Sequence, residues 1–221
     1  MHPHSHQFKA IIFDLDGTLL NTLNDIAEAM NQVLVDNGFP NHPIDMYRYY
    51  IGNGLENLII RALPEEKATP ESLPKYLQAF RIAYAQNWHK NTRPYPDIPA
   101  LLTRLTQHDF HLTILSNKAH EFTVRMVLTL LDQWKFKKIL GAGSGFPKKP
   151  NPKAALHILE YLRVRRDECL FVGDSGVDMQ TAKAAGIFPL GVTWGFRPES
   201  ELRENGCRFI ARKPLDILNL F

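Results

Sequence analysis

The segment Asp14-Leu15-Asp16-Gly17-Thr18 sets two carboxylates two residues apart, directly after the apolar run Ile11-Ile12-Phe13. Such a run reads as a buried parallel strand, and open α/β sheets bind their ligands beyond the carboxyl ends of the strands. Two acids, a glycine with free backbone choice and a hydroxyl suit a cation and a phosphate. Taken alone, the pentapeptide also fits a plain turn through Gly17 or an oxygen-rich calcium loop.

Three further stations favour the phosphate reading. Ser116-Asn117-Lys118 closes the strand-like run Leu112 to Leu115 and offers a hydroxyl and main-chain N–H groups to an anion, although Ser116 also suits a helix N-cap. Phe146-Pro147-Lys148-Lys149-Pro150-Asn151-Pro152 fixes a lysine between prolines; Lys149, beside Pro150-Asn151-Pro152, is the candidate cation, with a surface charge pair as the competing account. Val172-Gly173-Asp174-Ser175-Gly176-Val177-Asp178 ends another strand in acids. Asp174 and Asp178 share one face of a helix start, where acids are also common for capping, and they supply hard oxygen ligands of the kind Mg²⁺ takes.

The elements that must position these groups alternate. Strands are expected over Lys9 to Phe13, His111 to Leu115, Glu168 to Val172, Phe188 to Val192 and Arg208 to Ile210. Helices are expected over Ile98 to Gln107, His120 to Leu131, Lys153 to Leu162, Val177 to Ala185 and Glu199 to Asn205. This is the rhythm of an α/β fold, a parallel sheet with helices on both faces. Between Leu20 and Arg93 the rhythm stops. Leu23, Ile26, Ala27, Met30, Val33 and Leu34, then Leu55, Leu58, Ile59 and Ala62, then Leu77, Phe80, Ile82, Ala83 and Tyr84 recur at helical spacing. We expect residues 8–19 and 94–221 to form the α/β core and 20–93 an inserted all-helical cap, lying over the acids as a lid.

Composition narrows the partners. A net charge of +3 with no basic block gives no case for nucleic acid, and no apolar run is long enough for a membrane span. Cys169 and Cys207 are too few for a disulfide framework and read as buried thiols. Residues 1–7 carry no apolar leader core, so a cytoplasmic protein is expected. His2, His4 and His6 could hold a metal but read as a polar tail. Oligomeric state is not legible.

The four stations, in this order and spacing, resemble the haloacid dehalogenase-like hydrolase superfamily, over nearly the whole chain from about Phe8 to Phe221. The resemblance implies a Rossmann-like core and a C1-type helical cap. It also implies a nucleophile in the first motif, phosphate binding by Ser116 and its neighbour Asn117, charge neutralisation by Lys149, and a Mg²⁺ site. Asp14, the main-chain carbonyl of Asp16 and Asp174 would hold that ion, with Asp178 orienting a water or Lys149. An acid at position 16, absent from true dehalogenases, points to phosphatases and phosphomutases, because a leaving alkoxide must be protonated.

Tyr50-Ile51-Gly52-Asn53-Gly54-Leu55, Arg61-Ala62-Leu63 and Ser116-Asn117-Lys118 look like the phosphoglycolate phosphatase branch. The expected activity is therefore Mg²⁺-dependent hydrolysis of a small phosphorylated metabolite through an aspartyl-phosphate, with Arg48 and Asn53 as cap candidates for a substrate carboxylate. A phosphomutase and a pyrophosphatase or nucleotidase of the same fold remain open, since specificity is written in the cap. A binding module that has lost catalysis is disfavoured by the presence of Asp14, Asp16, Lys149 and Asp174. Phosphonate hydrolysis is disfavoured by the lack of any lysine between Lys9 and Lys67.

Overall fold

Ile11 and Phe13 point to one face of their strand and Ala10 and Ile12 to the other, and all four are fully buried, so helices must cover both faces. The computed structural model describes residues 8–221 and supplies those helices; His2, His4 and His6 lie outside the described residues. In chain order the elements begin β1 (Ala10–Phe13), β2 (Leu20–Asn21), α1 (Leu23–Asp36), α2 (Tyr47–Tyr50), α3 (Leu55–Ala62), α4 (Leu73–Asn87), β3 (Arg93–Pro94), α5 (Ile98–Gln107) and β4 (His111–Ala119). They continue with α6 (His120–Leu130), β5 (Lys138–Ala142), α7 (Lys153–Leu162), β6 (Cys169–Gly173), α8 (Gly176–Ala185), β7 (Phe188–Val192), α9 (Glu199–Glu204) and β8 (Phe209–Ala211).

Six strands form one parallel sheet in the order β5-β4-β1-β6-β7-β8. The chain runs outward from β1 in one direction, then returns and runs outward in the other, which leaves β1 beside the point where strand order reverses. Ile11, Phe13, Leu112, Ile114, Leu170 and Val172 pack with Leu101, Leu102 and Leu105 of α5 and Met126 and Val127 of α6. Ala10, Ile12, Cys169 and Phe171 pack on Ala154, Ala155 and Ile158 of α7 and on Ala182 and Ala185 of α8. Emptying a site such as Ile12 to alanine is expected to cost about 2–5 kcal/mol.

β5 has no counterpart among the strands expected from sequence. Its Lys-Ile-Leu-Gly-Ala stretch lies at the sheet edge, half-buried and flanked by lysines and glycines, so it carries neither an apolar run nor a clean alternation. The thiols also differ from expectation in one case: Cys169 is buried, whereas Cys207 is half-buried in the turn before β8, with its Sγ accepting from the Gly191 N–H.

Between β2 and β3 the described chain is helical. The apolar stripe expected for α1 is buried throughout. In α4 the buried face is Tyr76, Phe80 and Tyr84, at strict i, i+4 spacing, while Ile82 is exposed. The two ends of this segment run antiparallel, Leu20 opposite Pro94 and Asn21 opposite Arg93. The buried Asp25 carboxylate ties them, accepting from the Asn91 N–H at 2.9 Å and from the Thr92 N–H and hydroxyl at 2.8 and 2.7 Å. No helix among the described residues is long and apolar enough to cross a membrane.

Candidate active site

Three adjacent strands, β4, β1 and β6, deliver Ser116, Asp14 and Asp174 to one edge of the sheet. The Asp14 N–H still donates to the Val172 carbonyl at 2.9 Å, so its carboxylate leaves the sheet just as regular pairing ends. Carboxylate oxygens of Asp14, Asp174 and Asp178 lie within 4.8 Å of one another, all buried. Lys149 Nζ contacts Asp14 Oδ1 at 2.9 Å and Asp178 Oδ1 at 2.6 Å. Burial works against the Lys149 charge, and the two acids outweigh it and hold the ammonium above its usual range.

The acids feel the opposite imbalance. Burial pushes the Asp14 carboxyl up to about 7; Lys149 opposes this, and Asp178 and Asp16 add to it. Burial, then Asp178 and Asp14, push Asp174 well above the ordinary carboxylate range. Three clustered carboxylates facing one ammonium leave negative charge uncompensated. Although Lys149 Nζ is close, no donor meets Asp14 Oδ1 along a hydrogen-bond direction. A compact, all-oxygen, anionic donor set of this kind fits a hard divalent cation.

The surrounding backbone is shaped around Asp174. Its Oδ2 accepts from the Phe196 N–H at 2.7 Å and its Oδ1 from the Thr18 hydroxyl at 3.3 Å. A Cβ on Gly17 or on Gly195 would lie 2.3 Å from Asp174 atoms, so both positions must be bare for their loops to close on this acid. Asp178 is occupied differently. Its Oδ2 accepts from the Ser175 N–H and hydroxyl as the capping box of α8, while Oδ1 holds Lys149, so both oxygens are engaged within the protein.

A cavity of about 720 Å³ of empty space, counted out to where it meets solvent, opens beside the acids. Asp14, Asp16, Ser116, Asn117, Lys118 and Asp174 line it from the sheet side, and Ile51, Gly52, Leu55, Leu58, Phe80 and Tyr84 from the helical segment. The Asn117 side chain is a brace: Oδ1 accepts from the Lys149 N–H at 2.8 Å, and Nδ2 donates to the carbonyls of Lys149 and Gly52. Its side-chain amide thus positions Lys149 and grips the helical segment.

Arg48 and Asn53 do not line the cavity. Arg48 donates to the Gly195 carbonyl and pairs with Asp45, and the Asn53 carbonyl accepts from Asn57. Two residues without a role in the sequence reading stand in the cavity instead. Arg197 donates to the carbonyls of Arg48, Tyr49 and Ile51. Lys118 Nζ lies 3.2 Å from both oxygens of Asp16 and 4.6 Å from the Tyr84 ring centroid. Lys118 directly follows Ser116-Asn117, and that adjacency was the available signal; for Arg197 only the fold brings the signal.

The chain matches the model of the haloacid dehalogenase-like hydrolases over residues 11–192. It belongs to that family. It is 35% identical to a phosphoglycolate phosphatase of Vibrio parahaemolyticus over 96% of this chain and 95% of the relative, and 32% identical to a phosphoglycolate phosphatase of Aquifex aeolicus over 96% of each. Its fold is similar to the crystal structure of a predicted phosphoglycolate phosphatase from Haemophilus somnus, with TM-score 0.90 and 29% identity over 97% of this chain and 98% of that one. A haloacid dehalogenase-like hydrolase from Streptococcus pneumoniae superposes with TM-score 0.86 at 26% identity, covering 96% of this chain and 98% of the other. These relatives place the chain among the phosphatases of the family.

Proposed function

We propose that this chain is a Mg²⁺-dependent phosphatase that hydrolyses a small phosphate monoester, with 2-phosphoglycolate as the leading substrate, through a phosphoryl group carried on Asp14. The observation that carries the reading is the convergence of Asp14, Asp174, Asp178 and Lys149 at one sheet edge beside a cavity that opens to solvent. The relatives' names supply the substrate.

The Asp14 carboxylate attacks phosphorus, forming an O–P bond as the ester P–O bond breaks, and Asp16 gives its proton to the departing oxygen. Asp16 then takes a proton from water as that water's oxygen bonds to phosphorus. The Asp14–phosphorus linkage breaks, and orthophosphate leaves. Lys149, held by Asp178, and the Ser116 hydroxyl neutralise and orient the phosphoryl oxygens. The carboxylates of Asp14 and Asp174 and the main-chain carbonyl of Asp16 would hold Mg²⁺, which when bound screens the repulsion between an anionic nucleophile and an anionic ester. Asp178 serves by positioning Lys149, since both of its oxygens are engaged.

Residues 20–93 act as the lid of this site. The paired β2 and β3 and the Asp25 brace are the two crossings about which it would move, and closure excludes water from the acids. The test is phosphate release from 2-phosphoglycolate by wild type and by Asp14→Asn, with Mg²⁺ and with chelator. Turnover only in wild type with Mg²⁺ is expected; turnover retained in Asp14→Asn would end the covalent route.

A further inference from the structure

The substrate side of the cavity is built for an unusual guest. The apolar part of its lining is Ile26, Leu55, Leu58, Phe80, Tyr84 and Phe122, a surface with few hydrogen-bonding groups, and Tyr84 brings it up to Lys118. A hydroxyl-rich leaving group would lose water contacts there without replacement, at roughly 1–3 kcal/mol for each unsatisfied group. A short alcohol bearing one compact anion would not, provided that a cation stands opposite it.

Two cations line the cavity. Arg197 is engaged: Nη1 and Nη2 donate to three main-chain carbonyls, and Nε faces Glu201 at 3.6 Å. Lys118 is held more loosely. Its contacts to Asp16 are both 3.2 Å, longer than the 2.6 and 2.9 Å that Lys149 makes, and longer than the roughly 2.7–2.9 Å usual for charge-assisted pairs. Its remaining direction is toward the Tyr84 ring. The ammonium therefore touches Asp16, the group that would protonate the ester oxygen, and both line the same cavity.

Resting on the phosphatase reading, we propose that Lys118 is the specificity-determining residue of this site. It receives a carboxylate carried on the leaving alcohol, so the substrate class is short phosphorylated hydroxy-acids rather than sugar phosphates. The substrate carboxylate shares the ammonium with Asp16. In these apolar surroundings the pairing is worth more than at an open surface. The stacking of Tyr84 on the ammonium couples recognition to the helical segment.

The experiment compares kcat/KM for 2-phosphoglycolate and for ethyl phosphate, which has the same length and no carboxylate, in wild type and in Lys118→Met. Wild type is expected to prefer 2-phosphoglycolate by tenfold or more, and Lys118→Met to lose that preference by about tenfold, whatever happens to the rate on both esters. A ratio unchanged by the substitution would overturn the proposal and leave Lys118 as a support for Asp16. Because the variant removes the partner of Asp16 and could fold poorly, wild type alone supplies a second readout. Glycolate should inhibit ethyl phosphate hydrolysis competitively and ethylene glycol should not; equal effects of the two would overturn the proposal. Hydrolysis of ethyl phosphate without preference for the carboxylate would sink this inference alone, whereas no hydrolysis of either ester would remove the phosphatase reading and the inference with it.

Discussion

Two buried lysines flank the acids of this site, and they differ in how they are held. Lys149 sits on the sheet side between two carboxylates at 2.6 and 2.9 Å, with its backbone clasped by Asn117. Lys118 faces the helical side, 3.2 Å from both oxygens of a single carboxylate and against an aromatic ring. The difference teaches a division of labour. On the proposed reading, the groups that meet the phosphoryl part of the ester are anchored at the sheet edge, whereas the ammonium that meets its variable part rests against a side chain of the helical segment. Catalysis, on that reading, draws on groups anchored at the sheet edge, and specificity on Lys118 of β4 together with the side chains it meets from the facing helices.

Ways to break this comparison begin with the sheet side. Asp16→Asn should lower kcat/KM, which reports the steps through departure of the alcohol, by about 10²–10⁴-fold on alkyl phosphates, the usual span for general acid catalysis, and far less on p-nitrophenyl phosphate, whose leaving group needs no proton. Equal losses on both esters would mean that Asp16 does not donate that proton. An intermediate effect is expected in metal-free protein. The Asp14 carboxyl is raised to about 7 by burial, and Asp174 is raised in the same direction. The folded state therefore binds more protons than the unfolded state between about pH 4 and 7, and stability falls as pH rises through that window. Thermal melts with chelator should show this decline, and Mg²⁺ should flatten it in wild type but not in Asp174→Asn. A decline of equal slope with and without Mg²⁺ would contradict the proposed role of the acids.

The smallest effect belongs to the seam between the two sides. Arg197 grips three carbonyls of the helical segment, while the neighbouring Phe196 N–H holds Asp174. Arg197→Met should raise KM a few-fold and cost about 1–3 kcal/mol of stability, with kcat nearly unchanged. A large fall in kcat at constant KM would show that this contact shapes chemistry rather than closure.

The same division explains what could be read from the chain. Acids at the ends of apolar runs announce themselves, because an unbroken apolar run and a nearby glycine are local signals; Asp14 and Asp174 are such cases, and the structure brings them together. Lys149 was legible through the prolines that flank it. By contrast the bracing role of the Asn117 side chain, whose amide meets Lys149 and Gly52, depends on residues distant in the chain and has no local signal. Arg48 looked apt for a carboxylate, yet the carbonyl of Gly195, 147 residues away, takes its guanidinium. The contacts of Tyr84 with Lys118 and of Arg197 with the helical segment cross the seam, and no local spacing announces them. β5 escaped notice for a different reason: an edge strand needs only half of its surface apolar.

The central claim is that Asp14 itself carries the phosphoryl group. Substrate labelled with ³²P, mixed with enzyme and Mg²⁺ and quenched in acid within one turnover, should leave hydroxylamine-labile label on the peptide containing Asp14 and none on the Asp14→Asn variant. Full turnover with no label on the chain at any quench time, or label at another residue, would contradict the account.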